Sequence, residues 1–302
     1  MATPCQEEIL MDILKRLPVR SLLRFKCVSK YWNTLISDPY FKVEQLSHAK
    51  HDKNSHKLLT YEFCPKGEST VLPDPESRKV EYRCLGLGYD STIGDYKILN
   101  IDDDVPSQIL ALKDGRWRNI VKHPLATWNL LDDTPFLPMV HEAFHWIVSI
   151  GEYDVIEDRK FSLVSFSISN EVYGEIPLPE QILCPTRIFK FGVSVLNEML
   201  CVHSTSVSES EGAYKFWVMK EYGVKESWNV LFTIYDPRVC EMQPIYWFAD
   251  GKLLYWFRDA RSQSRETVFR TSCGPFVPFP HSDYFRGIAF TESLISPKSL
   301  IY

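Results

Sequence analysis

Apolar residues recur at helical spacing near the start of the chain. Ile9, Ile13 and Leu17 follow one another at intervals of four positions. A second apolar series lies beyond Pro18, at Leu22, Leu23, Val28, Trp32, Leu35 and Ile36. Pro18 cannot continue a helix, because it lacks an amide hydrogen and its ring collides with the preceding turn, and Pro39 closes the second series in the same way. The pattern predicts a helical hairpin of about 40 residues, which is too small to bury its own apolar stripes and must pack on something else.

Beyond a polar connector at 48–56, the pattern changes to short β-rich runs that repeat along the chain. An aromatic-x-x-aliphatic run begins at Trp117, Tyr173 and Trp228, so the aromatic residues are 56 and 55 positions apart. Each aromatic run is preceded by two further β-rich runs. The nearer ones lie at 109–112, 164–168 and 216–219. The farther ones lie at 96–99, 144–148 and 199–202, and a fourth run of this farther kind lies at 253–257. The regular spacing of these runs predicts four units of about 50 residues, each ending in a hairpin.

A period near 50 residues built from antiparallel strands is typical of propeller blades, whose sheets stack around an axis. A β-sandwich is the alternative, but it would not place an aromatic residue at the same phase of each unit. We therefore expect an α+β chain. A small N-terminal helical module is followed by an antiparallel, all-β, propeller-like repeat domain.

Composition limits which cellular compartment and which classes of partner we expect for this chain. The 302 residues carry a net charge of -5, which gives no general attraction to nucleic acid. The N-terminus lacks a basic stretch followed by an apolar run, and no apolar stretch approaches the length of a membrane span, so we expect neither secretion nor a membrane partner. The eight cysteines form no C-x-x-C pair, which predicts buried thiols rather than a zinc or redox motif. We expect an intracellular protein, in the cytoplasm, the nucleus or both.

The helical segment closely resembles the F-box, by which substrate receptors of Skp/cullin/F-box ubiquitin ligases bind a Skp-type adaptor. Its residues 13–41 read ILKRLPVRSLLRFKCVSKYWNTLISDPYF. In that family the leucine-proline turn and the inward apolar residues insert between adaptor helices. By resemblance, adaptor contact is assigned to Ile13, Leu14, Leu17, Pro18, Leu22, Leu23, Val28 and Trp32, although some of these will be internal core instead.

The rest of the chain is similar to the plant F-box-associated domain, a kelch-like β-rich region that follows the F-box in a large plant family. The phrases that carry this resemblance are LGLGYDSTIGDYKIL, FHWIV, FSLVSFSISNEVYGEIPLPE, FWVMKEYGVKESWNVLFTI and FTESLISP. The resemblance implies a non-catalytic receptor without a cofactor, which reaches a cullin through the adaptor and recruits an unknown protein substrate for ubiquitination. It places the F-box at 4–46, a linker with a shortened first β unit at 47–84, and the F-box-associated domain at 85–302.

Two departures from the family pattern leave an alternative open. The family usually has a second Leu-Pro pair where this chain has Cys5-Gln6, and a further β unit where only residues 57–84 lie. Losing one apolar anchor costs about 1 to 2 kcal/mol without abolishing docking. The alternative is an interaction protein, or a degenerate paralogue, that does not act in a ligase.

One stretch matches a metalloprotease pattern. His141-Glu142-Ala143-Phe144-His145 fits H-E-x-x-H, which on a helix directs two imidazoles at one zinc ion with the glutamate as general base. The repeat places His141 and Glu142 at a turn and His145 in the following strand, where side chains four apart are about 13 Å from each other. A metal-dependent hydrolase is therefore a remote alternative, and we expect no metal site and no catalytic residue.

Other candidates are predicted to be loops or turns. Asp102-Asp103-Asp104 lacks the spacing of a calcium loop, and Gly86-Leu-Gly88 lacks the third glycine and the helix of a nucleotide fingerprint, which makes it a turn or bulge. Target binding suits three inter-strand loops, at 123–138, 204–212 and 258–266. The residues that bind the target stay unassigned.

Overall fold

The computed structural model describes residues 4–51, 56–61, 83–102, 106–121, 129–130, 136–150, 160–183, 188–208, 211–236, 239–248, 250–259, 261, 265–270, 277–278, 286–291 and 294. Close contacts divide the chain into two compact units, which we call the helical unit and the repeat unit. The helical unit consists of residues 1–61 with 286–302, and the repeat unit consists of residues 62–285.

The helical unit begins with four α-helices rather than the two of the predicted hairpin. They are α1 Pro4–Leu14, α2 Val19–Phe25, α3 Lys30–Ser37 and α4 Pro39–His51. The first helix ends before Pro18, as predicted, and Pro18 becomes the N-cap residue of α2. The second predicted helix is split at Ser29, whose backbone is extended and whose hydroxyl accepts a 3.2 Å hydrogen bond from the Trp32 amide. Ser29 therefore starts a new helix.

Asp38-Pro39 ends the second predicted run, because α3 stops at Ser37, and the pair also starts α4, a helix that was not predicted. A carboxylate oxygen of Asp38 accepts hydrogen bonds from the amides of Tyr40 at 2.8 Å and Phe41 at 3.2 Å. Pro39 suits the first helical position, where an amide hydrogen has no partner in the helix. None of the helices in the described part of the chain is long and apolar enough to span a membrane.

The remaining described elements are short strands, one further helix, α5 Glu180–Leu183, and a 3-10 turn at Lys225–Ser227. The strands are β1 His56–Tyr61, β2 Arg83–Asp90, β3 Asp95–Asp102, β4 Gln108–Ala111, β5 Arg116–Asn119, β6 Asn129–Leu130, β7 Met139–Val140, β8 Ala143–Ile150, β9 Lys160–Ser167, β10 Tyr173–Ile176, β11 Ile188–Leu196, β12 Met199–Ser208, β13 Glu211–Met219, β14 Trp228–Tyr235, β15 Val239–Trp247, β16 Leu253–Asp259, β17 Arg265–Arg270, β18 Val277–Pro278 and β19 Arg286–Thr291.

Four antiparallel sheets follow one another along the repeat unit. The first joins β2 to β5 in order, the second joins β10, β9, β8 and β6 with β7 also on β8, the third joins β11 to β14, and the fourth joins β15 to β18. The predicted period is confirmed, because Trp117, Tyr173 and Trp228 lie in β5, β10 and β14, the last strands of three successive sheets. The runs predicted before them form β4, β9 and β13, and the runs before those form β3, β8, β12 and β16.

Neighbouring sheets share apolar cores in chain order. One cluster lies between the first and second sheets, one between the second and third, and one between the third and fourth. Members from facing sheets include Leu99 with Phe144, Ile147 with Val193, and Phe216 with Tyr255. Successive interfaces of this kind make a stack of sheets rather than the two facing sheets of a sandwich. The predicted fold class, helices followed by an antiparallel, propeller-like repeat, is confirmed.

Gly86 and Gly88 lie inside β2, so the prediction of a turn or bulge there was wrong. A Cβ atom on Gly86 would lie 2.7 Å from the Phe144 ring, and one on Gly88 would lie 2.5 Å from the sulfur of Met139. Both distances are shorter than any ordinary carbon contact. The glycines are needed because the first and second sheets approach each other closely at this strand.

A further two-stranded sheet belongs to the helical unit. In it, β1 pairs with β19 in antiparallel register, so a strand that follows the helices is joined to one near the end of the chain. Leu294, just beyond β19, packs into the core of the helices. The predicted boundaries assigned 85–302 to one β domain, whereas the contacts group residues from 286 onward with the helices. Backbone pairing between distant segments explains the difference.

Candidate functional site

The four helices pack around one apolar core, to which a residue near the other end of the chain also contributes. The core residues of this unit, all buried, are Leu14, Val19, Leu22, Ile36, Phe41 and Leu294. Phe25 and Trp32 pack against this core and meet edge to face, with ring centroids 5.2 Å apart. The small size of the module led us to expect that it must pack on something else. Leu294 supplies that contact.

The structure divides the eight residues predicted to contact an adaptor. Leu14 and Leu22 are buried, and Leu17 and Trp32 are partly buried against the same core. The other four face solvent: Ile13, Pro18, Leu23 and Val28. On α2, Val19 and Leu22 are buried, whereas positions 20, 23 and 24 are exposed. Only the four exposed residues are placed to meet a partner without opening the core.

Further apolar side chains of the helical unit also face solvent. Ile9 is 56% exposed and continues the row of Ile13 one turn earlier along α1. Tyr31 is 42% exposed, and its hydroxyl donates a 3.0 Å hydrogen bond to the Glu7 carboxylate, which links α3 to α1. Ile9 belonged to the predicted apolar stripe but not to the predicted contact set. Its spacing of four from Ile13 was the signal that could have added it.

The H-E-x-x-H stretch forms a turn and a strand, as the repeat predicted. His141 and Glu142 have φ angles of 51° and 57° in the turn between β7 and β8, and His145 lies in β8. Both imidazole rings lie against Tyr222, with centroids 4.6 and 5.6 Å from its ring, so they are closer together than a fully extended strand would place them. The described residues contain no group of three or more His, Cys, Asp or Glu side chains that could hold a metal ion.

His145 links the second sheet to the third. It is fully buried, and its Nε2 atom is 2.8 Å from the hydroxyl of Tyr222, which lies in the turn between β13 and β14. Burial lowers the pKa of His145 to about 4, since a charged ring cannot be solvated there. The imidazole is therefore neutral at neutral pH and acts as a hydrogen-bonded part of the interface between the sheets.

Lys97 links the first sheet to the second. Its Nζ atom is 2.7 Å from the Asp90 carboxylate and 2.8 Å from that of Glu171, and it donates a 2.9 Å hydrogen bond to the Ile168 carbonyl. Arg118 also pairs with Glu171. Burial alone would raise the pKa of Asp90, but hydrogen bonds, the strongest from Lys97, outweigh it and lower the pKa to about 2. The buried ammonium group of Lys97 is thus neutralised by Asp90 of the first sheet and by Glu171 in the turn before β10 of the second sheet.

Lys97 and His145 occupy equivalent places in the repeat. Each is the third residue of its strand, Lys97 in β3 and His145 in β8. Each reaches the turn before the last strand of the next sheet, through Glu171 before β10 and Tyr222 before β14. The sequence reasoning missed both contacts. The available signal was a polar residue at the same phase of two β-rich runs, immediately after Tyr96 and Phe144.

The predicted target-binding loops fall only partly on described residues. Within 204–212 the described residues are strand and not loop, because 204–208 belong to β12, 211 and 212 belong to β13, and Ser208 pairs with Glu211. Arg258 belongs to β16 and forms a 2.8 Å ion pair with Glu241. Most of 123–138 lies outside the described residues, as do Asp103 and Asp104. A target-binding site is therefore not assigned to these loops.

The described cysteines include two buried thiols and one exposed thiol. Cys84 and Cys201 are buried, as predicted, and burial raises the pKa of Cys201 to about 12. Cys27 is exposed because it lies in the turn that follows α2, so the prediction was wrong for this residue.

The protein-family model described as the F-box domain matches residues 6–44. Among curated proteins, F-box protein CPR1 of Arabidopsis thaliana is 23% identical over 242 residues, which cover 68% of this chain and 56% of CPR1. F-box/kelch-repeat protein At3g23880 of the same plant is 22% identical over 373 residues, which cover 97% of this chain and 96% of that protein. The chain thus spans little more than half of one relative and nearly all of the other.

A short segment is more closely similar to another relative. Putative F-box protein At3g52320 of Arabidopsis thaliana is 66% identical over 35 residues, which cover 12% of this chain and 9% of that protein. A solved structure, the family 117 glycoside hydrolase Zg3597 of Zobellia galactanivorans, aligns with 66% of this chain and 69% of its own at 7% identity, with a TM-score of 0.39. That structural likeness is too low to support any statement about this chain. The matches to the curated proteins and the family model confirm the resemblance read from the helical segment.

Proposed function

We propose that this chain, an F-box protein of the plant type, is the substrate-recognition subunit of a Skp/cullin/F-box ubiquitin ligase. Its helical unit binds a Skp-type adaptor, which in turn contacts a cullin, and its repeat unit binds a protein target. F-box proteins are in general non-catalytic adaptors. The chain contributes by raising the local concentration of target lysines near a ubiquitin-charged enzyme.

The observation that carries the proposal is the apolar surface of the helical unit. Ile9, Ile13, Leu23, Val28 and Tyr31 are each more than two-fifths exposed, although the unit already buries a core of its own. Several large apolar side chains left exposed on one small unit are typical of a protein interaction site. Helices that dock into a partner's groove use a few such anchors along their exposed faces. We expect adaptor contact at these five residues and at Pro18.

The buried members of the predicted contact set have a different role. Leu14 and Leu22 fill the core, and Leu17 and Trp32 pack against it. These four residues therefore hold the helices, and with them the exposed residues, in position. Substituting Leu14 or Leu22 would reduce adaptor binding by destabilising the unit. A binding experiment must therefore use the exposed residues.

Adaptor affinity measured by titration calorimetry tests the proposal. Recombinant Skp-type adaptor is titrated into the full chain and into the variants Ile13→Ala and Leu23→Ala. Truncating an interface anchor typically costs 1 to 2 kcal/mol, so each variant should bind about 10-fold more weakly. Val172→Ala is the matched control, because Val172 is 60% exposed but lies in the repeat unit. Failure of the unaltered chain to bind adaptor at high concentration would favour the alternative of a non-ligase interaction protein.

The target and the compartment belong to the same proposal. A receptor of this class acts where its ligase acts, in the cytoplasm, the nucleus or both, and we expect neither a nucleic-acid nor a membrane partner. A Leu23→Ala, Val28→Ala double variant keeps the repeat unit but loses two exposed anchors. Proximity labelling with the wild type and this variant should show target proteins that accumulate with the variant. Identical labelled proteins at identical levels would contradict a degradative role.

A further inference from the structure

The last strand of the third sheet differs from the last strands of the other three sheets. Each of β5, β10, β14 and β18 pairs with a single neighbouring strand among the described residues, so its other edge is open. Proteins usually protect such edges with charged residues, proline or short strands. The strand β5 contains two arginines, β10 contains Gly174 and Glu175, and β18 contains Pro278. By contrast, β14 has eight residues and contains neither a charged residue nor a proline.

The strand β14 is held firmly in its sheet and still presents apolar side chains to solvent. Trp228, Phe232 and Ile234 are buried, whereas Val230 is 45% exposed and Tyr235 is 60% exposed. Most of its residues are aromatic or β-branched, types that favour extended backbone. The open edge therefore offers backbone amide and carbonyl groups to another strand, which is the arrangement used when a protein captures an extended segment of a partner.

A bulge in β14 limits which partners can pair with this edge. Phe216 and Trp217 are adjacent in β13, but they pair with Phe232 and Val230, so Leu231 is an extra residue. A bulge bends the strand and increases its twist, which prevents two preformed sheet edges from pairing along their length. Two copies of this chain would meet through two such bent edges. A single extended segment can follow the bend, so the geometry favours a flexible segment of another protein.

The bulge also collects side chains on one face of the sheet, beside a cation. Val230 pairs with Trp217, and Thr233 pairs with Lys215, two residues earlier in β13. Val230, Thr233 and Tyr235 therefore share the face that carries Lys215. Lys215 is exposed and forms no ion pair among the described residues. A residue opposite Thr233 on an added strand would lie about 10 Å from Lys215, a separation that the side chains of lysine and glutamate can span together.

We infer that β14 binds an extended segment of the protein target, which adds a fifth strand to the third sheet. An acidic side chain of the segment lies opposite Thr233, near Lys215, and apolar side chains pack beside Val230 and Tyr235. Hydrogen bonds between the backbones provide affinity, and these side-chain contacts provide specificity. The inference rests on the proposed function, in which the repeat unit binds a target, and adds the binding strand and the chemistry of the bound segment.

Selection of displayed peptides on the full chain tests the inference. The probe is a library of random linear peptides of about 12 residues, long enough to extend along β14. Peptides selected on the wild-type chain should carry an acidic residue among β-branched and aromatic ones. Their affinity, measured by fluorescence anisotropy, should fall at least about 10-fold in V230K/Y235K, because lysines on an edge oppose strand addition. The control V121K/V172K, altered at two exposed valines of the repeat unit outside β14, should bind like wild type.

Two further measurements separate strand addition from other contacts. The K215E variant should bind the acidic peptides about 10-fold more weakly and should select peptides with a basic residue instead, because the charge beside the edge is reversed. Hydrogen exchange of the wild-type chain with a selected peptide bound should slow in β14 and stay unchanged in β5. Thermal unfolding of V230K/Y235K at the wild-type temperature checks that the variant is folded.

Several outcomes would overturn the inference. A selection that yields no binder, or peptides that bind V230K/Y235K as tightly as the wild type, would exclude capture by β14. A concentration-dependent dimer in analytical ultracentrifugation that V230K/Y235K abolishes would assign the edge to a second copy of the chain. The adaptor titration tests the proposed function separately. Loss of peptide capture with adaptor binding intact would remove only this inference, whereas peptide capture without adaptor binding would remove the ligase role and leave the strand site in place.

Discussion

Replacing Leu294 by alanine should loosen the F-box helices, although this residue lies near the opposite end of the chain. Leu294 is 7% exposed and belongs to the same core as Leu14, Leu22, Ile36 and Phe41. Its neighbouring strand β19 is fixed by pairing with β1, which follows α4. The side chain is thus an integral part of the helical unit.

The expected magnitude follows from the size of the lost side chain and the cavity it leaves. Core leucine-to-alanine substitutions cost about 2 to 5 kcal/mol, and the lower end applies where neighbouring groups can close part of the cavity. A loss of about 2 kcal/mol increases the population of the open state about 30-fold. In a unit of this size such a loss is a large fraction of the total stability.

Hydrogen exchange followed by mass spectrometry on the full chain measures this effect directly. Peptides from α1, α2 and α3 should exchange about 30-fold faster at their most protected amides in Leu294→Ala. The matched control is Leu23→Ala, because Leu23 is 51% exposed and its truncation should change stability by less than about 0.5 kcal/mol. Peptides from β12 and β13 provide an internal reference, since the described residues of the cores around them all belong to the repeat unit.

Equal protection of α1 to α3 in Leu294→Ala and Leu23→Ala would refute the role of Leu294 in the helical core. That result would mean that the helices are stable without the end of the chain. If the prediction holds, the proposed adaptor docking depends on the segment that contains Leu294, and the two variants should lose affinity for different reasons. Leu23→Ala would lose a contact, and Leu294→Ala would lose the folded unit that presents the contacts.

Two further predictions concern the links between sheets. Lys97→Met leaves the Asp90 carboxylate buried without its cation, so the free energy of unfolding from urea titration should fall by about 3 to 5 kcal/mol. The control Arg118→Met, at a half-exposed residue, should cost less than about 1 kcal/mol, and equal losses would contradict a buried ion pair. Burial holds the pKa of His145 near 4 against an ordinary value of 6.5, so between these values the unfolded chain binds a proton that the folded chain does not. His145 should therefore contribute a fall of up to about 3 kcal/mol in the free energy of unfolding as pH drops from 6.5 to 4. His203, whose pKa burial lowers to about 3, adds a fall of its own, so His145→Gln should reduce the pH slope without abolishing it.

In the helical segment, local sequence signals were sufficient to predict the helix boundaries, although not all of these signals were used. Periodicity and Pro18 located the first helix boundary, but the second apolar series was interpreted as one helix. Ser29 and Asp38 carried the missing information, because both are residue types that cap helix N-termini, and Pro39 is favoured at a first helical position. The number of helices was therefore present in the sequence and was overlooked.

The division between core and surface was not present in the sequence. Leu22 and Leu23 are adjacent leucines in the same motif, yet one is fully buried and the other is half exposed. Which side of α2 faces inward depends on where α3, α4 and Leu294 pack. For this reason the predicted contact set contained four exposed residues and four that are buried or partly buried.

The sequence by itself determined the local structure of this protein: the F-box string, the strand runs and the period that sets the last strand of each sheet. These follow from short-range physics, because side-chain direction repeats every two residues in a strand and every 3.6 in a helix. Only the tertiary structure decided which distant groups meet. Lys97 reaches Glu171 across 74 positions, and Leu294 completes a core begun at Leu14. Such contacts depend on how sheets stack and strands pair, and no local pattern records the identity of a partner that far along the chain.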